Sequence, residues 1–223
     1  MRTLFFDIDG TLLITHRAGS GALQQAISLE FQVEKVNMEV VFGGATDRYL
    51  LSELLRLNGL TDNEETRGRL RRRYSRLLPT VLKETGGTVL PGVNSLLAEL
   101  SRFPIVKSAV MTGNFAETGR MKLDHFGLGT HFCWVSGGDL DADRDDLARR
   151  TADQWSLMHG KDAVADMIVI GDTPKDVRCA RAMGAQSLAV CTGGFTRDEL
   201  TAAGATWVVD DLEHPSALEV LIP

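Results

Sequence analysis

Four aspartates stand where apolar segments of the sequence end. DIDGT at residues 7–11 supplies Asp7 and Asp9, and GDTPKD at residues 171–176 supplies Asp172 and Asp176. If these segments are neighbouring strands of one parallel sheet, the four carboxylates meet at one edge. Like charges that close cannot all ionise unless a cation holds them, and a set of oxygen ligands favours a hard ion, Mg²⁺ first. The sequence therefore predicts a magnesium site formed by these four residues.

Phosphoryl transfer is the chemistry that this set suits. A carboxylate beside Mg²⁺ can act as a covalent nucleophile toward phosphorus, which gives Asp7 its expected role. Positions i and i+2 of an extended segment point the same way, so Asp9 can reach the leaving-group oxygen while Asp7 attacks. TGN at residues 112–114 follows another apolar segment. The Thr112 hydroxyl and the turn through Gly113 and Asn114 are therefore expected to bind phosphoryl oxygens.

The surrounding pattern alternates short apolar segments with amphipathic ones. This alternation predicts an α/β fold, a doubly wound parallel sheet with helices on both faces, in which ligands bind beyond the carboxyl ends of the strands. The predicted strands lie at residues 4–8, 106–111, 132–135, 167–170, 187–190 and 207–209. The predicted helices between them lie at residues 94–102, 115–125, 145–158, 174–183 and 197–203.

A long helical segment interrupts the alternation once. From about residue 20 to residue 84 the pattern is purely helical, and glycines mark both ends. We expect an inserted helical cap at residues 16–87 on a core formed by residues 1–15 and 88–223, with flexible joints at 15–21 and 86–92. The arginine run at residues 67–76 is expected to be a solvated helix face.

Composition narrows the functional classes. The 223 residues carry 24 Lys and Arg against 30 Asp and Glu, a net charge of −6, so a broad basic field for nucleic acid is not expected. We expect no membrane partner, because no apolar run approaches the ~20 residues of a membrane span. The N-terminus reaches a charge too soon for a signal peptide. Three cysteines without paired spacing predict reduced thiols in a cytoplasmic protein.

The motifs resemble those of a known superfamily. DIDGT at residues 7–11, MTGN at 111–114 and GDxxxD at 171–176 resemble three of the four motifs of the haloacid dehalogenase (HAD) phosphatases. The helical insertion resembles their C1-type cap, and LPGV at residues 90–93 is similar to phosphoglycolate phosphatase and beta-phosphoglucomutase relatives.

The resemblance implies a Rossmann-like core and a Mg²⁺-dependent phosphatase that works through an aspartyl-phosphate. In that scheme Asp7, the backbone carbonyl of Asp9, and Asp172 hold the metal, and Asp176 supports them. The implied substrate is a small phosphorylated metabolite, similar to phosphoglycolate or a sugar phosphate. The protein is expected to be a monomer or a homodimer.

One motif departs from the superfamily. Its members usually place a Lys between the second and fourth motifs, but here Lys122 follows the second motif too closely and Lys161 lies just before the fourth. Arg144 begins the intervening helix, where some phosphoglycolate phosphatase-like members use an Arg. We predict that Arg144 grips two phosphoryl oxygens, as a guanidinium can, and keep Lys161 as the alternative.

The loop FGGATD at residues 42–47 joins two cap helices. In C1-cap relatives the corresponding loop faces the active site, which implies substrate contacts by Gly44 and Thr46. The alternative for Thr46 is that it only caps a helix.

Two other functions remain open. A phosphomutase would return the phosphoryl group to a sugar, and a non-catalytic module would only bind phosphate. A dehalogenase is disfavoured, because it has no alkoxide to protonate and therefore no use for Asp9.

Overall fold

The computed structural model describes residues 1–222. Its strands are β1 (Arg2–Phe6), β2 (Leu13–Ile14), β3 (Thr88–Val89), β4 (Val106–Thr112), β5 (Val135–Gly137), β6 (Met167–Gly171), β7 (Gln186–Val190) and β8 (Trp207–Val209). Six of them form one parallel sheet in the order β5-β4-β1-β6-β7-β8. The predicted doubly wound α/β fold is confirmed.

The helices are α1 (Ala18–Phe31), α2 (Asp47–Leu57), α3 (Glu64–Thr85), α4 (Val93–Leu100), α5 (Ala116–His125), α6 (Arg144–His159), α7 (Pro174–Ala182), α8 (Arg197–Ala202) and α9 (Pro215–Leu221). Helices from α4 onward flank the two faces of the sheet, whereas α1 to α3 belong to the insertion. Alternate residues of β1 point to opposite faces: Leu4 and Phe6 pack with α4 and α9, and Phe5 packs with Trp155 of α6. Within residues 1–222, none of these helices is long and apolar enough to cross a membrane.

The central strand sets the position of the acidic motifs. Phe6 of β1 pairs with Val110 of β4 on one side and with Ile170 of β6 on the other. The chain runs outward from β1 first through β4 and β5, then through β6, β7 and β8, so its direction switches beside β1. An open α/β sheet binds ligands at such a point.

One predicted strand is displaced. The third strand was expected at residues 132–135, but β5 begins at Val135, and a short 3-10 helix occupies Gly129–His131. Phe132 packs instead against the ring of Phe6, with 5.7 Å between the ring centroids. Its apolar side chain therefore belongs to the core without belonging to a strand.

The insertion has three helices, α1 to α3, which share one apolar cluster. Strands β2 and β3 pair antiparallel at its base, so the two connections to the sheet run side by side. The sequence reading was wrong in two details here. Residues 32–46 are irregular rather than helical, and Gly19 and Gly21 lie inside α1 rather than in a joint.

The arginine run is not simply a solvated face. Arg69 and Arg73 both pair with Glu30, which ties α3 to α1. Arg71 reaches Asp139 of the core at 2.5 Å and lies over the Phe115 ring at 4.2 Å. These arginines hold the helices of the insertion together and connect them to the sheet.

Candidate active site

A cavity of about 960 Å³ lies between the carboxyl edge of the sheet and the helical insertion. All three sequence motifs contribute to its wall, as does Arg144. The opposite wall comes from the insertion, with Leu23 and Met38 among its apolar members. The volume is within the range of small-molecule sites, about 300–1,000 Å³.

Three of the four predicted metal-site aspartates form a compact group. Asp7, Asp172 and Asp176 each offer a carboxylate oxygen within 4.8 Å of the others, and the residues are 8, 3 and 2% exposed. Burial, with Asp176 nearby, raises the pKa of Asp7 to about 7. Burial, followed by Asp176 and Asp7, raises the pKa of Asp172 to about 8. This concentration of negative charge in a dry site favours a bound cation.

Small residues leave room for this group. Asp172 accepts a hydrogen bond from the Thr11 hydroxyl at 2.9 Å. A Cβ on Gly193 would lie only 1.5 Å from Asp172 Oδ2, and one on Gly10 only 2.5 Å from it. Gly10 also has φ +87°, a conformation that favours glycine. The glycine of DIDGT is therefore required both by the turn and by the carboxylate that packs on it.

Asp176 sits at the start of α7, in a reciprocal cap. Thr173 caps the helix. Asp176 Oδ2 accepts hydrogen bonds from the backbone N–H of Thr173 at 3.1 Å and from the Thr173 hydroxyl at 2.7 Å. The other oxygen of Asp176 pairs with the guanidinium of Arg144. Because both oxygens already have partners, Asp176 is better placed to orient the group than to bind a metal with a free oxygen.

Arg144 lies at the acidic group and Lys161 does not. The Arg144 side chain is 4% exposed, and its Nη1 is 3.6 Å from Asp7 Oδ1. Burial lowers the pKa of Arg144, but Asp176 and Asp7 outweigh it and raise that pKa above its ordinary value. Lys161 is exposed and begins a 3-10 helix ahead of β6, where Ala163 accepts from Thr3 near the amino end of β1. The structure thus brings Arg144, and not Lys161, to the acidic group.

The side chain of Asp9 turns toward a second cluster. Asn114 Nδ2 donates to Asp9 Oδ2 and to Thr112 Oγ1, each at 2.8 Å. Lys122 Nζ donates to Asp9 Oδ1 at 2.7 Å, to Asp9 Oδ2 at 2.6 Å and to Asn114 Oδ1 at 2.8 Å. The Asp9 carboxylate is therefore engaged by Asn114 and Lys122 and is not part of the group formed by Asp7, Asp172 and Asp176.

Sequence reasoning missed Lys122. Thr118 and Lys122 are four residues apart on α5, and both are buried. Residues at this spacing share a helix face, and α5 begins directly after the TGN motif. Lys122 could have been found because it lies on the helix face that begins at the TGN motif. Its distance from the motif along the chain was the wrong criterion.

The loop before α2 packs directly on the TGN motif. The backbone N–H of Asp47 donates to the Gly113 carbonyl at 2.7 Å, and Asp47 Oδ2 accepts from the Phe115 N–H at 2.8 Å and the Thr118 hydroxyl at 3.3 Å. A Cβ on Gly113 would lie 2.0 Å from the Ala45 carbonyl oxygen. Burial is the main cause that raises the pKa of Asp47 to about 6. Gly113 thus permits close contact between insertion and core.

The expected substrate contact by Thr46 is corrected by the structure. Thr46 is fully buried; its hydroxyl accepts from the Tyr49 N–H at 3.2 Å, which caps α2, and donates to the Ala142 carbonyl at 3.2 Å. Both functions of the hydroxyl are therefore used within the protein. Gly44 does line the cavity and stays a predicted substrate contact; its φ is +63°, and a Cβ there would lie 2.7 Å from Cδ of Lys175.

Fold and site together define an α/β enzyme whose acidic sheet edge lies under a helical insertion. The family model of the haloacid dehalogenase-like hydrolases matches residues 1–184. The chain belongs to this family, which confirms the superfamily resemblance of the motifs.

Curated relatives extend over nearly the whole chain. Phosphoglycolate phosphatase of Rhodospirillum rubrum is 28% identical over 221 residues, which cover 94% of this chain and 87% of the relative. Phosphoglycolate phosphatase of Synechococcus elongatus is 27% identical over 220 residues, which cover 98% of this chain and 95% of the relative. The names of both relatives agree with the prediction of a phosphoric monoester hydrolase.

A solved structure shares the fold. CbbY from Rhodobacter sphaeroides in complex with phosphate has a TM-score of 0.78 at 19% identity, with 99% of each chain covered. A variant of the same protein, in complex with xylulose-1,5-bisphosphate, matches with the same TM-score and identity. At this identity the likeness supports the fold alone.

Proposed function

We propose that this HAD-family enzyme is a Mg²⁺-dependent phosphatase of small phosphomonoesters that works through an aspartyl-phosphate on Asp7. One observation carries the proposal. Asp7 Oδ1 is buried and has no hydrogen-bond partner among the described residues, in a carboxylate group that opens on a cavity. A buried oxygen without a partner costs free energy, and an electrophile or a cation would satisfy it.

The donor set fits magnesium. The carboxylates of Asp7 and Asp172 and the backbone carbonyl of Asp9 would hold the ion, with Asp176 orienting them. All these donors are oxygens, as Mg²⁺ requires. When bound, the ion supplies positive charge that screens the nucleophile and the phosphoryl oxygens.

The protein's own residues then divide the work of positioning and charge stabilisation. Asp7 attacks phosphorus, and the bond from phosphorus to the leaving oxygen breaks. Asp9, whose side chain remains 41% exposed, gives its proton to that oxygen and then, as a carboxylate, takes a proton from the water that releases phosphate from Asp7. Arg144, the Thr112 hydroxyl and the turn through Gly113 and Asn114 face the phosphoryl oxygens. The insertion excludes bulk water from the first step.

The cavity supports a small substrate. Its volume suits a metabolite-sized molecule, and contacts from Asp47 and Arg71 tie the insertion to the core. The curated phosphoglycolate phosphatases and the structural likeness to a protein solved with xylulose-1,5-bisphosphate suggest which compounds to test first. We propose phosphoglycolate-like or sugar-phosphate substrates.

Phosphate release from a panel of phosphorylated metabolites tests the proposal. The panel contains phosphoglycolate, xylulose-1,5-bisphosphate, hexose monophosphates and p-nitrophenyl phosphate, each with Mg²⁺ and with chelator. We expect Mg²⁺-dependent release from at least one small ester and loss of that activity in Asp7→Asn. Transfer of the phosphoryl group to a second sugar position would instead indicate a mutase. Phosphate binding without turnover of any ester would indicate a binding module.

A further inference from the structure

Lys122 is a buried cation that the proposed chemistry does not yet use. Its side chain is 4% exposed, and its Nζ donates to three oxygens, two on Asp9 and one on Asn114, at 2.6–2.8 Å. An ammonium has three N–H donors, so all three are engaged. Burying a lysine this deeply costs free energy unless it is fully paired, and here the pairing lies entirely inside the candidate site.

The core and the insertion both restrict the position of the Lys122 side chain. Its helix, α5, starts directly after the TGN motif. On the other side α1 of the insertion passes over it, so that a Cβ on Gly19 would lie 3.8 Å from Nζ. The ammonium is therefore held between core and insertion, and it has little freedom to leave Asp9.

The partners of Lys122 separate its role from that of Arg144. Arg144 pairs with Asp7 and Asp176, at the nucleophile. Lys122 pairs with Asp9, the group placed at the leaving oxygen, and with Asn114, which itself donates to Asp9. A flexible carboxylate contacted on both oxygens by one ammonium and on one by an amide keeps a single orientation.

We propose that Lys122 is a positioning residue, which holds the Asp9 carboxylate toward the leaving group through its contacts with Asp9 and Asn114. This inference rests on the proposed phosphatase function. A 1 Å misplacement of a reacting group can cost about 10²-fold in rate. The loss should be greatest where the leaving group depends on the proton from Asp9.

The test compares Lys122→Met with wild type on two substrates. One is p-nitrophenyl phosphate, whose leaving group departs with little help, and the other is the alkyl phosphate with the highest kcat/KM in the panel above. We expect kcat for the alkyl ester to fall about 10- to 100-fold and kcat for the aryl ester to fall much less. KM and inhibition by inorganic phosphate should stay near their wild-type values, because Lys122 does not grip the phosphoryl group.

A double-mutant cycle identifies the group through which Lys122 acts. In the Asp9→Asn background, Lys122→Met should have almost no further effect on the alkyl ester. Lys161→Met, an exposed lysine away from the cavity, is the matched control and should behave as wild type. If Lys122→Met does not fold by circular dichroism, Lys122→Arg keeps the buried charge and should show the same leaving-group-dependent loss.

Three results would overturn the inference while leaving the phosphatase intact. They are equal losses on both esters with weakened phosphate inhibition, additive losses in the Asp9→Asn background, and an unaffected Lys122→Met enzyme. A wild-type protein that hydrolyses no ester would instead overturn the proposed function itself.

Discussion

Removal of Arg144 should damage catalysis and stability in ways that can be measured separately. It is the guanidinium that faces both Asp7 and Asp176, inside a group of three buried carboxylates. Loss of one charge-stabilising donor costs about 2–4 kcal/mol of transition-state stabilisation. At about 1.36 kcal/mol per factor of ten, Arg144→Met should lower kcat/KM roughly 30- to 900-fold.

The same substitution leaves buried carboxylates without their counter-charge. Breaking a buried ion pair by removing one partner costs about 3–5 kcal/mol, so the free energy of unfolding in urea should fall by about that much without metal. Added Mg²⁺ should recover part of this loss if it binds among the same carboxylates. Arg144→Lys keeps the charge but loses the fork, and should recover part of both effects.

Two variants control for nonspecific damage. Arg149 lies on the same helix, α6, and pairs with Asp146 in an exposed bridge, so Arg149→Met should change neither kcat/KM nor stability appreciably. Lys161→Met addresses the alternative for the third motif directly. If Arg144→Met kept wild-type kcat/KM while Lys161→Met lost it, the assignment of the phosphoryl-gripping residue would be wrong.

The remaining predictions concern the carboxylates. Asp7→Asn keeps the shape of the side chain but removes the anionic oxygen that attacks phosphorus, so phosphate release should nearly vanish while the circular dichroism spectrum stays unchanged. Turnover by the folded variant would contradict a covalent mechanism. Asp9→Asn should slow alkyl phosphates more than aryl phosphates, and equal losses would remove its role at the leaving group. Raised pKa values at Asp7 and Asp172 mean that the folded, metal-free protein binds more protons than the unfolded chain. Its stability should therefore fall as pH rises from the ordinary carboxyl pKa of 3.8 to about 8 and then level off, so Mg²⁺ should raise Tm more at pH 8.5 than at pH 6; a Mg²⁺ effect independent of pH would contradict this.

The sheet and its acidic edge could be predicted because both follow from local signals. Apolar segments of strand length alternate with helical ones, and each motif follows such a segment, which places Asp7, Thr112 and Asp172 at one edge by topology alone. The start of α7 at residue 174 could also be predicted, because Thr173 and Asp176, three residues apart, form a reciprocal cap.

The contacts between insertion and core could not be predicted, because they join residues far apart in the chain. Asp47 accepts hydrogen bonds from residues about seventy positions later, and Arg71 pairs with Asp139. The ribbon of β2 and β3 is only two residues per strand, too short for any periodicity. Lys122 was misjudged for a related reason: its partner Asp9 lies 113 positions away.

These long-range contacts change where substrate selectivity should be sought. The resemblance implies substrate contacts from the loop at residues 42–47, but the Thr46 hydroxyl caps α2, and the Asp47 carboxylate accepts hydrogen bonds from Phe115 and Thr118 of the core. The side chains of Thr46 and Asp47 therefore hold the insertion against the core, and the loop contributes mainly the small residues 43–45 to the cavity wall. The part of the cavity wall that remains free belongs to α1 and to the irregular segment before α2, where Leu23, Gln24, Met38 and Phe42 face the site. We therefore expect substitutions in that wall to change the preference among phosphomonoesters more than substitutions at Thr46 do.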